Sequence, residues 1–475
     1  MSRTKIVCTI GPASSSPEVM RGLIRAGMDL ARINFSHGDH AAQARAIALL
    51  RQVAEEEDRL VAVIADLQGP KLRVGEIEGG EVDLREGHVV TLTSHPRPGV
   101  PAEIPVPHPE LLRDLEPGQT VLLDDGNLAL IVLQADESSL KCRVVTGGQL
   151  SSHKGINVPG ARLHFSALTS KDREDAAFAL EQGVDFFALS FVRRAEDVRE
   201  LRRFLEHKEA DVAIVAKIEK PEALSVFDGI LAEADAIMVA RGDLGVETPA
   251  EEVPFHQKRI IRACNKAGKP VITATQMLQT MIENPRPTRA EASDVVNAIL
   301  DGTDAVMLSG ETAVGRYPVL ATQTMAMICA NAEAHLPRDS MLRGESYGHD
   351  TITEAISYAA VDIANDVNAP AIVTATMSGT TARMVARHRP AMPVVAVTPS
   401  RTTLFRLKLV WGVVPVQVAE FSTTDEMFET MVRVVQEQSP VGRGDPVVLT
   451  AGIPFGRDRK TNMLKVHVVG GIGGP

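Results

Sequence analysis

The segment DVAIVAKIEKPEALSVFDGILAEADAIMVARGDLG, residues 211–245, decides the fold. It contains two nearly continuous apolar runs, Asp211–Glu219 and Ala234–Arg241, and each run ends on charged side chains. Continuous apolar character is typical of parallel strands that are covered on both faces, whereas a sheet with one wet face alternates. The segment therefore predicts two neighbouring parallel strands with polar carboxyl ends.

Six further runs of the same kind extend this pattern along the chain. They are Lys5–Ile10, Leu30–Phe35, Leu60–Asp66, Val184–Phe191, Lys269–Gln276 and Thr303–Ser309. Amphipathic helical patterns alternate with the runs, for example at Ala195–Glu209, Val253–Ala267 and Arg289–Leu300. Eight strands that each lead to a helix predict an α/β fold of the (β/α)₈ TIM barrel type. An open doubly wound sheet has the same alternation and stays as the alternative.

Changes of pattern divide the chain into segments. Between residues 71 and 159, period-two alternation with turn residues replaces helical periodicity, which predicts an inserted all-β lid domain. The polar stretch Arg338–Asp350 predicts a linker before helix and strand patterns resume. The predicted domains are the first part of the barrel at 1–70, the inserted β-barrel lid at 71–159, the second part of the barrel at 160–340, and a C-terminal α/β regulatory domain at 341–475.

Composition excludes several classes of partner and location. The 475 residues carry a net charge of −11 and no long basic run, so we expect neither nucleic acid nor membrane as a partner. The four cysteines form no C-x-x-C pair, which argues against a disulfide framework or a zinc site and for a reducing compartment. Neither a signal peptide nor a membrane-spanning run is visible, so we expect a cytoplasmic protein.

Polar residues accumulate where the predicted barrel strands end. These ends are Arg32–His37 (RINFSH), Asp66–Pro70 (DLQGP), Lys217–Glu219 (KIE), Arg241–Asp243 (RGD), Thr275–Gln276 (TQ) and Ser309–Glu311 (SGE). The carboxyl ends of barrel strands converge at one mouth, where active sites of such barrels lie. One charged pair is equally well explained as a structural salt bridge, but six polar ends together predict a functional site.

Two carboxylates in this ring suit a hard metal ion. Lys217 and Glu219 are two residues apart on one strand and therefore share a face, which suits an anion bound next to a metal. Glu219 and Asp243 end adjacent strands, and two close carboxylates are suitable ligands for Mg²⁺. The common glycine-rich phosphate motifs are absent, so we expect a nucleotide to be held by scattered side chains under the lid.

Several long motifs resemble the pyruvate kinase family. They are TKIVCTIGP (4–12), NFSHG (34–38), AKIE (216–219), MVARGDLGVE (238–247), ATQM (274–277), PRPTRAE (285–291), DGT (301–303) and MLSGET (307–312), with DDG (124–126) and KGIN (154–157) in the lid. The similarity extends from residue 4 to about residue 335 and is looser in the C-terminal domain. It implies a magnesium-dependent transfer of the phosphoryl group of phosphoenolpyruvate to ADP, giving pyruvate and ATP, by a homotetramer.

The resemblance also implies a role for each matching residue. Lys217 would stabilise the transferring phosphoryl group and the enolate, Arg32 would bind the phosphate, and Thr275 would help to protonate the enolate carbon. Mg²⁺, with Mn²⁺ as an alternative, would be held by Glu219 and Asp243. The implied substrate-binding residues are Arg32, Lys217, Gly242, Asp243, Thr275, Ser309 and Glu311. The implied nucleotide-binding residues are Asn34, His37, Arg73 and Lys154.

One position departs from the family pattern. Many members need K⁺ and carry glutamate directly after the Gly-Pro of the third-strand turn, where this chain has Lys71. The other residues of the implied monovalent-cation site are Asn34, Ser36 and Asp66. Because a lysine ammonium is a monovalent cation fixed to the chain, we expect Lys71 to replace K⁺, so that K⁺ is not required. The alternative is that Lys71 points to solvent.

A loop in the C-terminal domain resembles the family's site for phosphorylated effectors. Its sequence, TMSGTT at 376–381, follows a predicted strand and opens a helix, where hydroxyl groups and glycine suit a phosphate. The predicted effector-binding residues are Thr376, Ser378, Gly379, Thr380 and Thr381. An ordinary helix N-cap is the alternative. The loop contains no basic residue, and Arg383 and Arg401 are the nearby candidates.

Two other functions fit parts of the sequence. A metal-dependent aldolase or lyase on the same barrel would stabilise a pyruvate enolate with Glu219 and Asp243 and would need no nucleotide. The lid residues Arg73 and Lys154 argue against it. A non-catalytic metabolite sensor would keep the fold without the chemistry, but every matched catalytic position is intact.

Overall fold

Eight parallel strands form a closed barrel in the computed structural model, which describes residues 2–100, 102–161, 163–336, 351–454 and 460–470. The strands are Lys5–Ile10, Leu30–Asn34, Ala62–Asp66, Phe186–Leu189, Ala213–Ile218, Ala236–Ala240, Val271–Ala274 and Ala305–Leu308. The first strand pairs with both the second and the eighth, so the open doubly wound sheet is excluded. Most strands are shorter than predicted, because residues at one or both ends of the apolar runs lie outside the hydrogen-bonded ladder.

The barrel strands alternate with helices. These are Pro17–Ala26, His40–Glu56, Ser170–Glu181, Ala195–His207, Pro221–Ser225, Phe227–Glu233, Arg241–Glu247, Val253–Ala267, Arg289–Leu300, Gly310–Ala313 and Pro318–Ala334, with 3₁₀ turns at Pro12–Ser14 and Gln279–Ile282. Thr288 shows why they begin where they do, since its hydroxyl accepts the Glu291 N–H in a capping box. Gly268 ends a helix in the left-handed conformation that glycine adopts most easily.

The inserted segment has its own β-structure and its own apolar core. Its strands are Glu81–Leu84, Val89–Thr93, Glu103–Pro105, Thr120–Leu123, Leu128–Ala135, Ser139–Thr146, Gly148–Ser151 and Ile156–Asn157. The expectation that this segment lacks helix is wrong, because Pro109–Asp114 forms a short helix. Six residues are too few to show a helical period, and this helix buries only Leu111 and Leu112.

The C-terminal segment forms a five-stranded sheet with helices around it. Its strands are Ile372–Ala375, Val394–Thr398, Val413–Gln417, Pro446–Ala451 and Met463–Val468, and its helices are Ile352–Asp366, Thr380–Ala386, Arg401–Arg406 and Thr424–Gln438, with a 3₁₀ turn at Leu407–Leu409. Helix Thr424–Gln438 was not predicted. The predicted linker Arg338–Asp350 and the predicted domain boundary at 340/341 lie outside the described residues.

This C-terminal domain packs against the amino-terminal ends of the barrel strands. Lys5 Nζ donates to Val413 O at 2.9 Å, and Lys408 Nζ lies 2.8 Å from Asp29 Oδ1. The opposite end of the barrel is therefore the one that faces the inserted β-domain, which contacts it through Asn157. Among the described residues, no helix is both long enough and apolar enough to cross a membrane.

Candidate active site

Polar ends of four neighbouring barrel strands meet around the ammonium group of Lys217. Lys217 Nζ lies 3.2 Å from Asp66 Oδ1, 2.8 Å from Glu219 Oε1 and 2.7 Å from Ser190 Oγ. On the other side of Asp66, its Oδ2 accepts from Arg32 Nε at 2.5 Å. The convergence that the strand ends predict is thus present, and it brings two cations and two carboxylates into one hydrogen-bonded group.

Opposite charges hold Lys217 and Asp66 in their ionised forms against the effect of burial. Burial opposes the charge on Lys217, but Asp66 and Glu219 raise its pKa above the usual value. Burial likewise disfavours the Asp66 carboxylate, yet Lys217 and Arg32 hold the pKa of Asp66 below its usual value. A buried lysine that stays protonated is a fixed positive charge in a site of low polarity, where it acts strongly on an anion.

Glu219 and Asp243 lie at the carboxyl ends of two paired strands. Burial raises the pKa of Glu219, and the like charge of Asp243 raises it further against the opposing effect of Lys217. Asp243 is exposed in the first turn of helix Arg241–Glu247. Two carboxylates that repel each other at a cleft fit Mg²⁺, whose other ligands are water or substrate oxygens. No larger metal cage of His, Cys, Asp or Glu occurs in the part of the chain that the structure describes.

The cleft beside Asp243 has a volume of about 650 Å³ and extends to the lid residue Asp125. Within it, the Gly242 N–H donates to Thr275 Oγ1 at 2.7 Å. Thr275 has a φ of 67°, in the left-handed region that a β-branched residue rarely adopts. The backbone thus turns the Thr275 hydroxyl toward the amino end of helix Arg241–Glu247.

Ser309 and Glu311 differ in what they can offer a substrate. The buried Glu311 carboxylate accepts the Leu278 N–H through Oε1 at 3.0 Å and the Ser309 N–H through Oε2 at 2.8 Å. Both of its oxygens therefore hold loop backbone in place. Ser309 Oγ is buried without a hydrogen-bond partner among the described residues and stays available to a bound molecule.

Positive charge gathers around His37, one of the predicted nucleotide-binding residues. Partial burial lowers the pKa of His37, and the charges of Lys71, Arg73 and Arg32 lower it further. The exposed ring of His37 therefore lies in the combined positive field of three side chains. An anion bound here would be attracted by all of them.

The remaining predicted nucleotide contacts are tied to neighbouring residues. Arg73 Nη1 donates to His153 O at 2.8 Å, and Lys154 Nζ lies 2.6 Å from Asp124 Oδ1. Asn34 Oδ1 accepts the Ser36 N–H at 3.0 Å. Of the four, Lys154 is thus already paired with a carboxylate of the lid.

Lys71 is half-buried at the edge of this group. Burial lowers its pKa, the charges of Arg73 and Lys217 lower it further, and Asp243 and Asp66 oppose the shift. The Lys71 ammonium thus interacts electrostatically with charged groups of the site.

The hydroxyl groups of the loop at 376–381 bond largely within the domain. Thr376 Oγ1 accepts the Gly379 N–H at 2.9 Å. Thr381 Oγ1 lies 2.7 Å from Thr461 Oγ1. Ser378 and Thr380 are the more open positions, and Arg383, which the sequence placed nearby, donates to Thr380 Oγ1 at 3.3 Å. The cation that the loop itself lacks is supplied by the helix that follows it.

Sequence reasoning missed two residues of the central group, Ser190 and Phe191. Both directly follow the fourth barrel strand, Phe186–Leu189. Ser190 Oγ accepts from Lys217, and the Phe191 N–H donates to Glu219 Oε2 at 2.9 Å. Their position at a strand end was the available signal, but a lone serine followed by an aromatic residue does not differ from many loop sequences.

A closed barrel with a buried cation and two carboxylates at the ends of neighbouring strands is an arrangement typical of enzymes that act on anionic substrates. Comparison with known proteins makes this specific. Residues 1–322 match the family described as "Pyruvate kinase, barrel domain", and residues 354–467 match "Pyruvate kinase, alpha/beta domain". The chain belongs to the pyruvate kinase family and is a phosphotransferase.

Individual relatives agree with this assignment. A pyruvate kinase of Geobacillus stearothermophilus is 48% identical over 98% of this chain and 80% of its own length. One of Sporosarcina psychrophila is 46% identical over 99% of this chain and 81% of its own. The solved structure of a pyruvate kinase from Cryptosporidium parvum superimposes with a TM-score of 0.93 at 36% identity, covering 98% of this chain and 96% of that one.

Proposed function

We propose that the chain transfers the phosphoryl group of phosphoenolpyruvate to ADP at the site around Lys217, giving pyruvate and ATP. The observation that carries this proposal is the buried Lys217 ammonium, held between Asp66, Ser190 and Glu219 at the barrel mouth. Phosphoryl transfer needs positioning and charge stabilisation more than covalent help, and this group provides both.

Arg32 is placed to bind the phosphoryl group of the substrate. Its Nε is held by Asp66, and its Nη1 donates to Thr9 Oγ1 at 3.0 Å. These two bonds fix the guanidinium plane, so its remaining donors can meet phosphate oxygens in a defined orientation. Lys217, on the other side of Asp66, would stabilise charge on the same phosphoryl group and on the enolate oxygen.

Glu219 and Asp243 are the residues that would hold Mg²⁺, or Mn²⁺ in its place. A divalent ion bound there supplies Lewis-acid stabilisation of phosphoryl and enolate oxygens. The roles of the protein side chains remain orientation and charge: the Phe191 N–H fixes one Glu219 oxygen, and Asp243 stays open to the cleft.

Gly242, Asp243 and Thr275 would receive the substrate carboxylate. The amino end of helix Arg241–Glu247 presents backbone N–H groups there, and Thr275 Oγ1 accepts the Gly242 N–H while donating to Ala274 O at 2.6 Å. A substrate carboxylate oxygen that accepts the Gly242 N–H in place of Thr275 would leave a lone pair of Thr275 Oγ1 free. In our proposal, Thr275 assists protonation of the enolate carbon. The Ser309 hydroxyl, two residues before Glu311, has no hydrogen-bond partner among the described residues and is available to take part.

A coupled assay for ATP formed from phosphoenolpyruvate and ADP tests the proposed reaction. We expect ATP formation by the wild type and its near loss in Lys217→Met, whereas Lys141→Met, at an exposed lysine of the lid, stays active. ADP-independent cleavage or condensation of a pyruvate enolate would instead support the aldolase or lyase. Binding of substrates without turnover by the wild type would support the non-catalytic sensor.

We further propose that Lys71 takes the place of K⁺ beside Asn34, Ser36 and Asp66. Its partial burial and its electrostatic interactions with Asp66 and Asp243 support this role. Turnover in K⁺-free buffer provides the test: we expect full activity without K⁺, and a large activation on adding K⁺ would overturn the proposal.

We also propose that a phosphorylated metabolite regulates the enzyme through the loop at 376–381. The exposed hydroxyl groups of Ser378 and Thr380, which lie 3.0 Å apart beside the Arg383 guanidinium, support such a site. Thermal-shift titration with sugar phosphates and AMP tests it, and no response to any of them would count against it. We propose in addition that the enzyme is a homotetramer and that it is cytoplasmic.

A further inference from the structure

The three acceptors around the Lys217 ammonium differ in charge and in the other donors that they bind. Asp66 also accepts from Arg32, and Glu219 also accepts the Phe191 N–H. Ser190 Oγ, at 2.7 Å, is the shortest of the three contacts and the uncharged one. It can therefore fix the position of the ammonium group without neutralising its charge.

The Ser190 hydroxyl is oriented to accept from Lys217. Its own hydrogen is directed to Leu67 O at 2.8 Å, a better distance than the 3.5 Å to Asp66 Oδ1. A hydroxyl with its single donor engaged presents its lone pairs to other groups. Ser190 is also only 3% exposed, so water does not compete well for these lone pairs.

The backbone at Ser190 is held firmly by the neighbouring third-strand turn. A Cβ added at Gly69 would lie 3.2 Å from Ser190 Cβ and 2.9 Å from Phe191 Cδ2, so the two segments are in close contact. Phe191 has a φ of 57°, a conformation that aims its N–H at Glu219. The pair Ser190–Phe191 therefore contacts both a predicted catalytic cation and a predicted metal ligand from one rigid turn.

We propose that Ser190 is a positioning residue for phosphoryl transfer, because its hydroxyl holds the Lys217 ammonium at the distance and angle that the reacting phosphoryl group requires. This inference rests on the proposed function of Lys217. Misplacement of a charged group by a fraction of an ångström weakens transition-state stabilisation more than it weakens substrate binding. Loss of the Ser190 hydroxyl should therefore lower kcat more than it changes KM.

The test is a double-mutant cycle on the full-length enzyme, measured as steady-state ATP formation. Ser190→Ala should lower kcat by about ten- to a hundredfold, the effect of one hydrogen bond to a charged group, while KM for phosphoenolpyruvate changes less than about threefold. In a Lys217→Met background, Ser190→Ala should have no further effect on kcat, because it acts only through Lys217.

Thr273→Val is the matched control, since it also removes a buried barrel hydroxyl, one bonded to Thr303 Oγ1 at 2.9 Å. It should keep kcat near the wild-type value. A kcat for Ser190→Ala within about threefold of wild type, equal losses in both backgrounds, or a loss matched by Thr273→Val would each overturn the inference. Absence of ATP formation by the wild type would instead refute the proposed function itself.

Discussion

The two ends of the barrel both bury charged side chains, but they balance them differently. At the amino-terminal end, cations of the C-terminal domain meet barrel carboxylates directly: Lys408 Nζ lies 2.8 Å from Asp29 Oδ1, and Arg389 Nη1 lies 3.0 Å from Asp304 Oδ1. At the carboxyl-terminal end, Arg32 and Lys217 also contact carboxylates, but further positive groups lie around them, and these contribute to the lowered pKa values of His37 and Lys71.

The difference separates a structural use of charge from a functional one. Opposite charges in contact hold two domains together, and because they neutralise each other they exert only a weak electrostatic field on a bound ligand. Positive groups that gather beyond the paired ones are unfavourable until an anion arrives, so they stabilise a bound phosphoryl group rather than the free protein. Substitutions at the two ends should therefore affect different measurements.

The largest effect is expected at Lys217. Lys217→Met should reduce kcat by about a thousandfold, roughly 4 kcal/mol of transition-state stabilisation, because a preorganised buried charge is removed from the reacting groups. Steady-state ATP formation measures this. Lys408→Met removes a partly buried cation at the other end and should lower thermal stability with little change in kcat per folded enzyme. Similar losses of kcat in both variants would contradict the separation.

The next effect concerns stability at the domain interface. Asp304 accepts from Arg389, from the Trp411 N–H and from the Val271 N–H. Asp304→Ala should lower the free energy of unfolding by about 3 kcal/mol, because it leaves a buried guanidinium without its carboxylate. Denaturant unfolding followed by circular dichroism measures it.

Glu437→Ala is the control for this interface variant. It removes an exposed helical ion pair with Arg433 and should change stability by about 0.5 kcal/mol or less. If Asp304→Ala behaves like Glu437→Ala, the amino-terminal end does not depend on its balanced charges.

Reversal of charge at Lys71 should make the activity dependent on K⁺ in solution. Lys71→Glu should lower activity in K⁺-free buffer by between about tenfold and a hundredfold, and added K⁺ should restore most of it, because the carboxylate can recruit the ion that the ammonium replaced. Lys141→Glu makes the same charge change at an exposed lid position and should do neither. A loss in Lys71→Glu that K⁺ does not repair would contradict the substitution of Lys71 for K⁺.

The carboxyl-terminal end was the more predictable of the two from sequence. Its residues are strand ends, and period-two alternation puts Lys217 and Glu219 on one face before any contact is known. The closed barrel brings Arg32 and Asp66 to them because parallel strands share a direction. Ser190 escaped prediction because a single serine after a strand has no distinguishing pattern.

The amino-terminal end was not predictable by the same reasoning. Lys408 and Asp29 are 379 positions apart, and no local pattern records that they meet. Helix Pro109–Asp114 was not predicted because it is shorter than two turns and gives too little periodicity. Docking between domains and very short helices depend on tertiary contacts that periodicity does not contain.

The smallest predicted effect is a pH dependence at Lys5, which joins the barrel to the C-terminal domain. Burial lowers the pKa of Lys5 to about 8 from 10.5, with Lys408 adding to the shift and Asp29, Glu333 and Asp304 opposing it. Between these two values the unfolded chain binds the proton more tightly than the folded chain, so this group adds stability as pH rises. Lys5→Met lacks this contribution.

The difference in unfolding free energy between wild type and Lys5→Met should therefore shift by about 1 kcal/mol in favour of the wild type from about pH 7 to about pH 9. Denaturant midpoints at the two pH values measure the shift, and the comparison with the variant cancels the titration of distant groups. Lys141→Met, at an exposed lysine, should show no such change relative to wild type. A constant difference for Lys5→Met would mean that Lys5 titrates alike in the folded and unfolded chains, and that burial at this end carries no penalty for the charge.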